Sequence, residues 1–221
     1  MQNRDDYKNT AAVYDFLFSQ VLKNIHETIR TCLRYNKARN VVDLCCGTGQ
    51  QLRHLADQDM ILTGVDLSRA MLYQARKKSP ESIHYLETDA TNTKLPAGKF
   101  DGVIITFALH EKPAAEHLSI FKEACRLLTP EGVILIADYC VPPEEISSQL
   151  MSKVCFQSIE RLAGINHYHC YKDWMKNGAI EGFLDTHNPG KLSLISAHYF
   201  ACVKLLTVSQ VPQTTTMEEK P

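Results

Sequence analysis

Several absences narrow the classes to which this 221-residue chain can belong. No apolar run approaches the roughly 18 residues needed to cross a bilayer. The opening MQNRDDYKNT is polar and acidic, with no apolar segment, so no secretory leader is expected. Lysine and arginine (24) nearly balance aspartate and glutamate (25), which leaves no electrostatic footprint for nucleic acid. Eight cysteines are present, yet none forms a C-x-x-C pair. A chain of this length builds a core without disulfides, so reduced thiols in a cytoplasmic protein are expected. There is also no G-K-[ST] to cradle phosphates.

What is present is a change of period. Residues 10–36 carry Val13, Phe16, Leu17, Val21, Ile25 and Ile29 at three- and four-residue steps, which predicts one or two helices. From Arg39 the pattern becomes short apolar runs: VVDL (41–44), ILTGVD (61–66), IHYLET (83–88), DGVIITF (101–107) and GVILIAD (132–138). Near-continuous apolar runs are expected of parallel strands buried on both faces. Helices fit between them. One starts at Ser68, a good N-cap, and ends in Arg76, Lys77 and Lys78; another runs from about Ala114 to Leu128 and stops at a T-P-E-G turn. Repeated strand–helix alternation implies a doubly wound α/β sheet. After Asp138 the alternation breaks. Residues 144–181 look helical with a loop near GINHYH, and LSLIS (192–196) and ACVKLLTV (201–208) are expected to pair antiparallel because their connection is too short for a crossover. The chain is read as one domain over 1–208: N-terminal helices (10–36), a core (39–138), a lid and acceptor region (139–190) and final strands (191–208). A disordered tail is expected over 209–221.

The stretch VVDLCCGTGQ ends the first strand in Gly47 and Gly49 and opens a helix. Such a turn lets a ligand approach the backbone closely. A dinucleotide fingerprint would place a third small residue where this chain has Leu52, so a ligand without a pyrophosphate is expected. Asp66 ends the second strand and is placed to accept both hydroxyls of a ribose. Asp89, after the third strand, lies at the same edge; its side chain can meet an adenine amino group while Ala90 offers a backbone N–H. Asp43 reads as a buried carboxylate satisfied by loop N–H groups, with direct ligand contact as the other reading. Cys45 and Cys46 read as small packing residues at a strand-to-turn junction, since no His or Cys stands at metal spacing from them.

Taken in order and spacing, VVDLCCGTG, GVDLS, ETDA, FDGVIITFALHE and LLTPEGVILIADY resemble class I S-adenosylmethionine-dependent methyltransferases, the small-molecule branch that includes the ubiquinone/menaquinone-biosynthesis enzymes. The resemblance covers residues 10–138. It implies a Rossmann-like, seven-stranded, mostly parallel sheet with an antiparallel last strand, and a helical lid after the fifth strand. It implies that Gly47, Thr48 and Gly49 pass under the methionyl part of the cofactor, with Asp43 and Cys45 in the same turn. Asp66 would hold the ribose, Leu67 and Met71 would flank the adenine, and Asp89 and Ala90 would read its edge. Thr106 and Phe107 would close the pocket, and Tyr14 would cover the methionine end. Many members have Gly where this chain has Cys45.

The resemblance implies methyl transfer to a small-molecule acceptor, with S-adenosylhomocysteine as product; His167, His169 and Cys170 offer metal-ligand chemistry, but H-x-H-C has no matching second half, so no metal is expected. A catalytically silent protein that binds the cofactor, as an adaptor or sensor, would share the same turn. His110, in ALHEKP after the fourth strand, is the candidate general base, with a pocket-shaping role as the bland reading. Glu111 reads as solvated or capping. His167, His169 and Tyr171 are candidates for the acceptor-facing lid, while Tyr171, Trp174 and Met175 recur at helical spacing as a core face. His26, His54 and His117 are expected at the surface. Arsenite methylation has candidates in Cys140, Cys155 and Cys170 but they match no motif, adenine-amino transfer lacks an Asn/Asp-Pro-Pro-aromatic run, aminopropyl transfer has only Glu111, and oligomeric state is left open.

Overall fold

The computed structural model describes the backbone of residues 11–56, 59–150, 156–187, 190–199 and 201–211, and the side chains of all of these except 11–21, 159, 162 and 163. Cys155, the side chain of Tyr14 and the expected tail from 212 onward lie outside the described residues.

A single helix, α1 (Ala11–Tyr35), precedes the sheet. The alternation then follows: β1 (Asn40–Leu44), α2 (Gln50–Leu55), β2 (Ile61–Asp66), α3 (Arg69–Lys78), β3 (Ile83–Glu87), β4 (Phe100–Thr106), α4 (Ala114–Leu127) and β5 (Leu128–Tyr139). Four helices come next: α5 (Ile146–Leu150), α6 (Gln157–Ala163), α7 (Ile165–Lys176) and α8 (Ala179–His187). The last strands are β6 (Lys191–His198) and β7 (Val203–Ser209). All seven strands form one sheet in the order β3-β2-β1-β4-β5-β7-β6. β1 to β5 are parallel, and β7 runs antiparallel to both β5 and β6. This is the doubly wound sheet that the alternation of apolar runs and helices predicted, with the seven-stranded, Rossmann-like order that the resemblance implied.

The central strands β1, β4 and β5 form where they do because their side chains are buried on both faces. Val41, Val42, Leu44, Val103, Ile104, Ile105, Ile134, Leu135 and Ile136 are all fully buried. α1 lays Leu22, Ile25, His26, Ile29 and Leu33 along one stripe, and Leu33 sits so close over Gly102 of β4 that a Cβ there would lie 2.5 Å from it. α3 begins as expected, with the Ser68 hydroxyl accepting from Met71 N–H at 3.3 Å.

Two expectations fail locally. The T-P-E-G turn lies inside β5, where Leu128 pairs with Phe100 and Val133 with Gly102, so Thr129–Gly132 bulge out of a ladder that continues on either side. The GINHYH loop is not a loop. Gly164, at φ 135°, separates α6 from α7, and Ile165 already starts the next helix.

Chain order reverses at β1, with β2 and β3 on one side and β4 and β5 on the other. The crevice at the C-terminal ends of β1 and β4 is therefore the natural ligand site of this sheet.

Candidate active site

A cavity opens at that crevice. β1 and the turn after it contribute Asp43, Cys45, Gly47 and Thr48. Asp66, Leu67 and Met71 come from β2 and the start of α3, Asp89 and Ala90 from the segment after β3, and Thr106 and Phe107 from the end of β4. These eleven candidates from the sequence thus line one space. Gly49 stands at the turn itself, N-capping α2 at φ 73°.

The turn is shaped by close packing. A Cβ on Gly49 would fall 2.1 Å from the Tyr85 hydroxyl, which is fixed by Ser79 at 2.8 Å. Gly64 of β2 receives Leu52, whose Cδ1 would lie 2.8 Å from a Cβ at 64. The close helix–strand contact that a third motif glycine provides elsewhere is here supplied from the strand side. Cys46 packs against the same Gly64, and Cys45 takes the left-handed region at φ 62°, which accounts for a preference for glycine there. Burial pushes the Cys45 thiol up to about 12 and raises Cys46 strongly, so neither thiolate is available near neutral pH.

Asp66 clamps the turn by accepting from Gly47 N–H and Ser68 N–H, each at 2.8 Å. Burial raises its carboxyl despite those two bonds. Asp89 accepts from Thr91 N–H and the Thr91 hydroxyl, both at 2.8 Å, and so holds its own loop. Asp43 departs from expectation. It is 1% exposed, and its Oδ1 has no hydrogen-bond partner instead of being satisfied by the loop. Burial and the neighbouring Asp66 raise its carboxyl well above the usual range.

The sequence reading missed several lining residues. Leu22, Ile25 and His26 of α1 and Gln51 of α2 line the cavity, as do Glu111, Lys112 and Glu116 from the far side. His26 is buried, contrary to expectation; it stacks on His54 with ring centroids 4.9 Å apart and meets Gln51 Oε1 from Nδ1 at 2.6 Å. Burial first, with His54 and Arg53 adding to it, lowers its imidazole to about 4. His26 Nε2 and Gln51 Nε2 are buried without partners. An unmade buried bond costs about 1–3 kcal/mol, so three such atoms on residues of one cavity call for a polar occupant. The signal was available in the sequence, because His26 lies four residues after Leu22 and three before Ile29 on the apolar stripe. His117 is buried too, for the same reason of spacing (with Ile120, Phe121 and Ala124), and its Nε2 meets Lys112 O at 2.8 Å.

Glu111 is a bridging group and not a solvated one. Its carboxylate pairs with Lys112 at 3.0 Å and with His167 Nδ1 at 3.5 Å, tying the loop after β4 to α7. Burial alone would raise it, but Lys112, His167 and His110 outweigh burial and hold it at about 2. Lys112 is raised in return, chiefly by Glu111.

His110 lies behind the cavity wall and does not line it. It is 1% exposed, with Nδ1 2.7 Å from Asp138 and Nε2 3.5 Å from Glu160. The Tyr139 hydroxyl donates to Glu160 at 3.1 Å, and Trp174 Nε1 donates to Tyr139 O at 3.1 Å. Burial would lower the imidazole, but Asp138 and Glu160 together raise it well above 6.5, which favours the charged ring. That protonation leaves it no free lone pair with which to act as a base. Tyr171 packs in the same cluster, 5.2 Å from the Tyr139 ring, and with Trp174 forms the buried face of α7. His169 is exposed.

Among the described residues no helix is long and apolar enough to span a membrane. Residues 41–132 match the family model described as a methyltransferase domain. An uncharacterised methyltransferase of Synechocystis sp. is 31% identical over 52% of this chain and 54% of that protein. The demethylmenaquinone methyltransferase of Beutenbergia cavernae is 33% identical over 47% of this chain and 42% of its own length. The chain thus spans about half the length of these relatives. The structure of the DhpI–SAH complex superposes at TM-score 0.64 with 17% identity, covering 95% of this chain and 94% of that one, which shows the shared fold. Over residues 41–132 this chain is therefore similar to a methyltransferase domain.

Proposed function

We propose that the chain binds S-adenosylmethionine in the cavity at the ends of β1 and β4 and transfers its methyl group to a small-molecule acceptor. The observation that carries this reading is the cavity's lining. Five acidic residues (Asp43, Asp66, Asp89, Glu111 and Glu116) and one lysine surround it, and Asp43 Oδ1 is buried without a partner. A ligand with positive charge and several donors relieves that arrangement, and a sulfonium with an ammonium group is such a ligand.

The residues present fit the cofactor. Gly47 at φ 53° has nothing within 4 Å of where a Cβ would stand, so the turn leaves room for a ligand. Asp66 retains lone pairs for ribose hydroxyls beyond its two backbone bonds, Leu67 and Met71 would flank an adenine, and Asp89 with Ala90 N–H would meet its edge. Thr106 and Phe107 would close the methyl-bearing end. When bound, the cofactor supplies a methyl group on a good leaving group, so the chain's own part is to hold the acceptor in line and exclude water. His110, charged and behind the wall, serves as a positioning residue that fixes the loop after β4. The demethylmenaquinone methyltransferases among the relatives favour a quinol-like acceptor.

Isothermal titration of the purified chain with S-adenosylmethionine, S-adenosylhomocysteine and NAD tests the reading. Micromolar binding of the first two and none of NAD is expected. Binding of NAD alone, or of none of the three, would sink it.

A further inference from the structure

Four buried side-chain polar atoms stand without a hydrogen-bond partner among the described residues, and three of them belong to residues of the cavity: His26 Nε2, Gln51 Nε2 and Asp43 Oδ1. Their chemistry is complementary rather than random. Gln51 Oε1 can only accept, so the 2.6 Å contact fixes the proton of His26 on Nδ1 and leaves Nε2 as a bare acceptor. The same contact uses the Gln51 carbonyl and leaves its NH₂ as a free donor. Asp43 Oδ1 is a second acceptor. One group that answers two acceptors and one donor on the wall of one cavity is an ammonium beside a carboxylate, the α-amino-acid zwitterion.

Building on the cofactor reading above, we infer that the His26–Gln51 pair, which joins α1 to α2 and lines the same cavity as Asp43, anchors the α-amino-acid end of the bound nucleoside. The ammonium would donate to Asp43 Oδ1 and His26 Nε2. The Gln51 amide would donate to the carboxylate. The geometry agrees with burial. His26 is 4% and Gln51 3% exposed, so both are held rigidly by the helices that carry them, and the His54 ring stacked on His26 fixes its plane. A neutral imidazole is needed to accept from an ammonium, and burial of His26 keeps it neutral across the physiological range. Nothing of this was visible in the motif, because His26 and Gln51 are 25 residues apart and on different helices.

The test pairs two variants with two ligands. S-adenosylhomocysteine carries the zwitterion; 5′-methylthioadenosine has the same nucleoside and thioether without it. His26→Phe keeps a ring to stack on His54, and Gln51→Leu keeps the volume. Each is expected to weaken S-adenosylhomocysteine by about tenfold or more, the loss of one buried polar contact, and to leave 5′-methylthioadenosine within about twofold. Equal weakening of both ligands, or of neither, would overturn the inference while leaving the cofactor reading intact. A wild-type chain that binds neither ligand would overturn both. Thermal melting of each variant confirms that it folds, and either variant alone decides the question.

Discussion

Two buried histidines, His26 and His110, show opposite uses of the same side chain. His26 sits at the cavity, neutral, with Nε2 unpartnered; His110 sits behind the wall, charged, with a carboxylate at each nitrogen. Both are nearly inaccessible, so burial alone does not separate them. What separates them is satisfaction. The region around His110 closes on itself: Asp138 also accepts Leu109 N–H at 3.0 Å and Tyr139 N–H at 2.7 Å, and Glu160 is shared with Tyr139. The region around His26 is left open by three atoms. A completed network specifies the packing of the helices after β5 onto the sheet, whereas an incomplete one marks where a ligand goes.

The largest effect should come from the closed network. His110→Gln leaves two carboxylates buried without their counter-charge and is expected to cost about 3–5 kcal/mol of stability by urea melting, with affinity for S-adenosylhomocysteine changed little in the folded fraction. A stable variant that lost ligand affinity would reverse the comparison. Next in size is the pH dependence of His26. Its imidazole is lowered from 6.5 to about 4, so the folded state binds fewer protons than the unfolded one in that window. Its contribution is complete above pH 6.5 and is lost as pH falls towards 4, amounting to about 3 kcal/mol at the acid end. His110, raised, acts with the opposite sign: its contribution is complete below 6.5 and is lost only as pH rises through its elevated folded value. Stability measured from pH 7 to 4 should therefore fall less steeply in His26→Phe than in the wild type; parallel curves would mean that His26 is not held neutral. The smallest effect expected is at the turn. Gly49→Ala places a side chain in the left-handed region against Tyr85, at about 1–3 kcal/mol. Adding Ser79→Ala, which frees the Tyr85 hydroxyl, should recover part of that loss in a double-mutant cycle.

The sheet was legible because its signal is local. Both-face burial makes the central parallel strands near-continuous apolar runs, so β2 (61–66) was predicted to the residue and the others within a few. The hairpin of β6 and β7 followed from a connection too short for any alternative. The cavity lining by Asp43, Cys45, Gly47, Thr48, Asp66, Leu67, Met71, Asp89, Ala90, Thr106 and Phe107 was legible because strand ends at a reversal of chain order converge. Illegible features depend on partners distant in sequence. Glu160 meets His110 from 50 residues away, across a segment whose helices gave no hint of register. Glu111 looked solvated because nothing local shows that His167 comes down on it. His26 and His117 were misplaced for a different reason: residue type was weighed above spacing, although both lie on the apolar stripe of their helices. The T-P-E-G bulge failed similarly, since Pro and Gly punctuate a chain whether it turns or only loops out of a ladder.

The antiparallel insertion of β7 between β5 and β6 has a consequence for how the chain is made. Once Tyr139 has been synthesised, β5 offers a bare hydrogen-bonding edge, and its partner ends only at Ser209. At roughly 5–20 residues per second on a ribosome, that edge stays open on the order of ten seconds. β6 cannot cover it, because β6 joins the sheet only through β7. The nascent chain thus passes through a stage in which a strand with an apolar run from Val133 to Ala137, the row most able to pair with a neighbouring molecule, waits for the last strand of the sheet.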